Sequence, residues 1–214
     1  MSLPDDYPAL LAGVDAWQAD AQAKYPGVIP CRAGCSACCH GPFDISAADA
    51  LLVRDAVGAL PPDIRAEVRQ RAESQIAAMR RIEPALVAPW DITSLGEERF
   101  DALVDAFEAA PCPALDAAGA CRIYQHRPMI CRMMGLGLKT PAGHVIENAC
   151  PIQGEFPDYE SLAPQRFDLD GWEDAEARVL IRAAEQLFGD AGWSSYETTV
   201  AGAILLDARE AVSR

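Results

Sequence analysis

Several things are scarce in this sequence, and each scarcity removes a class of function. Only three histidines occur among 214 residues. His126 and His144 have no partner at metal-ligand spacing, and His40 alone, directly after Cys39, stands where it can replace a thiolate. There is no G-x-S-x-G elbow, no phosphate-cradling P-loop and no dinucleotide fingerprint; Gly135-Leu136-Gly137 is too short to count. Basic residues number 18 against 32 acidic ones, a formal charge of −14. So acidic a chain repels phosphate backbones and anionic lipid, which argues against nucleic acid and membrane surfaces as partners. No apolar run approaches the ~20 residues that span a bilayer. Met1-Ser2-Leu3-Pro4-Asp5-Asp6 is acidic where an export signal is basic and then apolar. The expected compartment is therefore the cytoplasm, which keeps thiols reduced.

What the chain does have is cysteine. Cys31, Cys35, Cys38 and Cys39 fall within nine residues as C-x3-C-x2-C-C, and Cys112, Cys121, Cys131 and Cys150 follow singly. A hydrophobic core has no need of thiols at set intervals, whereas a soft cation needs several thiolates around it. Cys35 and Cys38 stand near the spacing that grips one metal in a tight turn, while Cys39 points elsewhere because neighbouring side chains diverge. One tetrahedral zinc uses four ligands and leaves four spare. Two four-thiolate sites, or a polynuclear centre, use the count better. Eight cysteines also admit 105 disulfide connectivities. Adjacent Cα atoms lie ~3.8 Å apart, below the ~4.4 Å at which ordinary disulfides begin, so Cys38 and Cys39 do not pair with each other. The absence of an export signal weighs against the rest.

With half its residues apolar, the chain is long enough to bury a core without covalent staples. The expectation is one irregular, mainly α domain over residues 1–214. Helical spacing marks a first helix from Tyr7 to Ala23, and Ser46, with Asp49 three residues on, caps a second that runs to Val57. Pro61-Pro62 opens a third with Val68, Ala72, Ile76 and Met79 inward and an arginine-rich face outward in solvent. Phe100, Leu103, Val104 and Phe107 mark a fourth. Residues 112–150 read as loops, with a short helix from Pro128 to Met134 and room for one small β-hairpin between Leu136 and Ile146. Two helices close the chain, from Trp172 to Phe188 and from Tyr196 to Val212.

Charge follows the thiols. Between Ala117 and Asn148 stand Arg122, Arg127, Arg132 and Lys139 against one acid, Glu147, and Arg32 lies inside the first cysteine cluster. Four thiolates on a divalent cation leave a net charge of −2, which guanidinium groups offset. The carboxylates Asp168, Asp170, Glu173 and Asp174 read as helix N-terminal charge or solvated surface.

The order Cys31–Cys39, then Cys112-Pro-Ala-Leu, then Cys121-Arg-Ile-Tyr-Gln-His-Arg-Pro-Met-Ile-Cys131-Arg, then Cys150, resembles the YkgJ/FliB-like CxxCxxCC family of zinc- or iron-chelating proteins. The likeness covers about residues 28–152, leaving 153–214 as a helical extension. The first gap is three residues here where the family often has two. The resemblance implies that all eight cysteines are metal ligands for zinc or iron, with a 4Fe-4S cluster as the iron form. It also implies that Tyr124 and Arg127-Pro128 shape the loop and neutralise charge without acting as catalytic groups. Three readings follow: a zinc or iron chelator, an iron–sulfur enzyme or electron carrier, and an interaction module with structural zinc. None of them identifies a catalytic residue, a substrate or a protein partner.

Overall fold

The computed structural model describes residues 3–206. Its helices are α1 (Tyr7–Lys24), α2 (Ala47–Gly58), α3 (Pro62–Ile82), α4 (Glu97–Ala106), α5 (Met129–Met133), α6 (Leu169–Phe188) and α7 (Val200–Leu205). Five short strands accompany them: β1 (Asp44–Ser46), β2 (Leu138–Lys139), β3 (Val145–Ile146), β4 (Gln165–Arg166) and β5 (Glu197–Thr199). The mainly α expectation holds. Among the described residues no helix is long and apolar enough to cross a membrane.

The core gathers where α2 packs on α6 and α7 and α3 closes over α7. α2 is the central element: Ala47, Ala48, Ala50, Leu51 and Val53 are buried almost completely. Its start follows from Ser46, whose hydroxyl accepts a hydrogen bond from the Asp49 amide. Asp49 does not complete an exposed capping box. It turns inward and is buried. α1 contributes Tyr7, Leu11, Val14 and Ala21 at helical spacing and packs against α5 and α6. α6 begins at Leu169, earlier than the apolar pattern suggested, because Asp168 caps it through the Gly171 amide. It stops at Gly189, whose φ of 71° is the left-handed position that ends many helices.

Two features differ from the expectations. The last helix begins at Val200, not Tyr196, since Glu197–Thr199 pairs antiparallel with Asp44–Ser46 as β5 against β1. Thr199 then caps α7 by accepting from the Gly202 amide. The continuation through Ala208 to Val212 lies outside the described residues. The expected hairpin forms as β2 with β3, and β4 adds a parallel third strand to β2. That strand comes from a segment read as plain loop.

Candidate metal centre

Apart from Cys131, the cysteines sit in loops and turns outside the helices and strands. Two successive turns shape the first cluster, with the Cys35 amide donating to Arg32 O (3.1 Å) and the Cys39 amide to Ser36 O (2.9 Å). The chain beyond it zips against the segment after α4. The Cys112 amide donates to Cys39 O at 2.9 Å and the Gly41 amide to Ala110 O at 2.8 Å. Residues 114–122 double back through a bridge between Leu115 and Cys121 and a bond from the Arg122 amide to Ala114 O. Cys131 is carried by α5. Cys31 donates its thiol to Met134 O at 3.1 Å, just past the end of that helix.

Seven of the eight thiol-bearing residues, Cys31, Cys35, Cys38, Cys39, Cys112, Cys121 and Cys131, line one cavity of about 450 Å³. Cys150 stands outside that lining; its thiol is raised by burial first and then by Cys35 and Cys38. All eight are free and partly buried. Among the described residues, however, no three histidine, cysteine, aspartate or glutamate side chains stand together as a formed metal cage. The donors suit a soft or borderline cation in kind and number. They surround a space; they do not converge on a point. His40 is exposed and lines a different cavity with Ser36, Arg71 and Asp116. His126 and His144 are exposed as well.

The thiols are held as neutral groups where they are deepest. Burial pushes Cys31 up to about 12, with Cys38, Cys150 and Cys35 adding repulsion and Arg127 pulling it back. Burial raises Cys112 to about 12 and lifts Cys131 further. Between the neighbours Cys38 and Cys39 the shifts run in opposite directions. The contact with Cys39 lowers Cys38, and the same contact raises Cys39. A bound cation reverses the penalty, because it supplies the charge that burial withholds.

The arginines have closer partners than the local sequence suggested. Arg132 is buried, donating to Arg127 O (2.9 Å), Gln125 O (2.8 Å) and the Asp15 carboxylate. Arg127 reaches the same carboxylate at 3.2 Å and lies 4.2 Å from the centre of the Tyr124 ring. Arg122 faces Asp116 at 3.9 Å. Of these cations, Arg127 acts on thiols directly, easing both Cys31 and Cys121 towards the thiolate.

The cavity wall also includes residues that cysteine spacing did not reveal. α1 contributes Asp15, Gln18 and Gln22, three and four residues apart on one helical face. Gln22 Nε2 donates to Cys31 O at 2.8 Å, and buried Gln18 leaves its Oε1 without a partner. That polar stripe beside an apolar face was the available signal. Behind α5, Asp49 accepts from the Tyr7 hydroxyl (2.8 Å) and the Met129 amide (3.1 Å), so it ties α1 and α2 to the helix carrying Cys131. The local sequence marks Asp49 only as a companion of the Ser46 cap, not as this junction.

Residues 30–151, more than half of the chain, match the model of the CxxCxxCC family, described as a "Putative zinc- or iron-chelating domain". The chain belongs to this family. The CxxCxxCC region contains all eight cysteines, whereas α1, α6 and α7 lie outside it. No curated protein and no solved structure matches the chain.

Proposed function

We propose that this CxxCxxCC protein chelates zinc or iron through its eight cysteine thiolates, Cys150 closing the set from the cavity rim. The observation that carries this reading is the shared cavity, to which separate chain segments bring seven unbridged thiols. Soft sulfur donors in that number match zinc, iron or an iron–sulfur cluster, and oxygen-loving cations such as magnesium find few ligands among them. Metal enters by displacing thiol protons and drawing the donors inward, so binding and ordering of the loops are one event. A donor set spread around a cavity favours more than one metal atom over a lone tetrahedral ion, whose sulfurs all stand at about 2.3 Å from one centre. Arg127 would temper the accumulated negative charge.

Purification of the full chain without oxygen, followed by elemental analysis, visible absorption and acid-labile sulfide, tests the reading. The expected result is zinc or iron retained through gel filtration. Colour with sulfide identifies a cluster, and a colourless protein with bound zinc identifies the simple thiolate form. A chain that retains neither metal, and takes up neither when supplied with zinc or iron and sulfide under reducing conditions, overturns it.

A further inference from the structure

We propose that α1, which lies outside the CxxCxxCC region, positions the metal centre: its Asp15, Gln18 and Gln22 side chains hold the Cys31 segment and the Cys131 helix at one wall of the cavity. This rests on the chelation reading above and adds the groups that keep the sulfur donors in place without being ligands themselves.

The three residues stand at i, i+3 and i+7 of one helix, so they share a face, and all three line the thiol cavity. Each reaches a different point on the cysteine-bearing chain. Gln22 Nε2 donates to Cys31 O at 2.8 Å. Gln18 Nε2 donates at 3.4 Å to Met134 O, the carbonyl that also accepts from the Cys31 thiol at 3.1 Å. Met134 directly follows α5, so one acceptor joins α1, Cys31 and the end of the helix that carries Cys131. Gly135, the next residue, leaves the Cys31 sulfur the room that a Cβ would take. Asp15 acts on the same helix by charge: its carboxylate receives Arg132, the neighbour of Cys131, and Arg127 at 3.2 Å. Arg132 donates in turn to Arg127 O and Gln125 O, which ties the turn before α5 to the same ion pair. Apolar packing backs these bonds, since Ala21 of α1 clusters with Ile29, Leu136 and Leu162, and Cys31 packs against that group.

The make-up of this face points to the site and not to the core. Gln18 is buried in the stripe formed by Tyr7, Leu11, Val14 and Ala21, a position that suits an apolar side chain. Its Oε1 has no partner among the described residues, and an unmet acceptor in the interior weakens a fold. Stability does not account for an amide there; the bond to Met134 O does. Asp15 is already engaged by two guanidinium groups, and glutamine amides are poor ligands for a soft cation beside eight thiols. All three therefore act through the cysteines, as positioning residues.

Pulsed alkylation of the full-length, metal-stripped and reduced chain with iodoacetamide, read cysteine by cysteine by peptide mass spectrometry, tests the positioning before any metal is added. Gln22→Leu keeps the bulk of an exposed residue and removes its donor, so the thermal midpoint should stay that of wild type. Labelling of Cys31 should rise about two- to fivefold, the effect of one lost hydrogen bond, while Cys39, Cys112 and Cys121 label as in wild type. Gln18→Leu should act on Cys31 in the same way, with a midpoint no lower than wild type because the unmet acceptor is removed too. Asp15→Ala should raise labelling of Cys131, and Asp15→Asn, which keeps an acceptor for Arg132, should restore most of the protection. On the zinc- or iron-loaded chain, Gln22→Leu should release metal to a chromophoric chelator about two- to fivefold faster than wild type.

Equal labelling of Cys31 in Gln22→Leu, Gln18→Leu and wild type overturns the proposal. A uniform rise over all eight cysteines with a lowered midpoint overturns it as well, because it marks a merely structural role. Selective labelling without faster release also defeats it, since the sulfurs then hold metal without help from α1; in these three cases chelation stands. A wild-type chain that retains neither zinc nor iron overturns chelation, and the positioning role falls with it. Should Asp15→Ala fail to fold, the two glutamine variants decide.

Discussion

α2 buries Leu51 and Val53 completely among its neighbours, whereas the stretch from Cys112 to Cys121 keeps its shape through a few backbone bonds and one aspartate. In the first region the apolar faces of α2, α3, α6 and α7 supply the stabilisation, and many small contacts share it. In the second, Asp116 accepts from the amides of Ala118 and Ala120 at 2.8 Å each, and little regular structure backs it up. The helical frame is redundant; the cysteine-bearing loops depend on individual polar contacts. Such a division suits a metal site, because a frame held by its own apolar packing leaves the loops able to close around an ion.

The largest expected effect belongs to the frame. Leu51→Ala removes a fully buried side chain from the helix at the centre of the core. A substitution of this type costs about 3–4 kcal/mol. At about 2–4 °C per kcal/mol for a chain of this size, thermal unfolding of the variant should begin from a midpoint lower by about 6–16 °C. Metal content per folded chain should not change. If Leu51→Ala loses metal while its midpoint stays put, the frame and the loops are not separable.

A smaller effect belongs to the junction. Asp49 joins α1, α2 and α5, and burial raises its carboxyl to about 6 from an ordinary 3.8. Glu176, bonded to Ser46, is raised to about 7, by burial first and then by the Asp49 charge. Both folded-state values exceed the unfolded ones, so between them the native state holds more protons than the unfolded chain. Stability contributed by these groups is therefore present at low pH and lost as pH rises from about 4 to about 7, with no further loss above. For Asp49 the loss amounts to about 3 kcal/mol at most. Asp49→Asn keeps an oxygen that can accept from Tyr7 and Met129, and it removes the titration. Urea unfolding at a series of pH values should give a shallower fall for the variant. Parallel curves would show that Asp49 is already neutral, or already solvated, in the folded chain.

The frame was legible because its rules are local. Periodicity marks α1, α3 and α4, Ser46 starts α2, and Gly189 ends α6. β1 and β5 were not legible, since a three-residue strand is defined by a partner about 150 residues away and not by its own pattern. β4 escaped for the same reason. In the candidate site, spacing grouped the eight cysteines, and seven of them line one cavity. It did not reveal which segments meet, because the bond between Cys112 and Cys39 and the packing of Gly135 on Cys31 are non-local. The charge pattern was half legible. Arg32, Arg127 and Arg132 line the thiol cavity and Arg122 does not, and the acid that answers Arg127 and Arg132 is Asp15 on α1, more than a hundred residues earlier.

That pairing separates the arginines and sets the smallest expected effect. Arg122 faces Asp116 and affects no thiol strongly; Arg127 bears on both Cys31 and Cys121 despite its contact with Asp15. Replacing a partly screened cation next to two thiolates is worth about 0.5–1 kcal/mol. Arg127→Gln should therefore release metal to a chromophoric chelator about two- to fivefold more readily than wild type. Arg127→Lys should recover most of that difference, because it restores the charge without the stacking on Tyr124. Arg122→Gln should behave as wild type. If Arg127→Lys is as weak as Arg127→Gln, then the guanidinium matters for the geometry it gives the loop through Tyr124, Asp15 and the neighbouring carbonyls. If Arg122→Gln is weaker still, a diffuse positive field around the cysteines matters more than any single contact, and the loops are less dependent on individual bonds than the frame comparison holds.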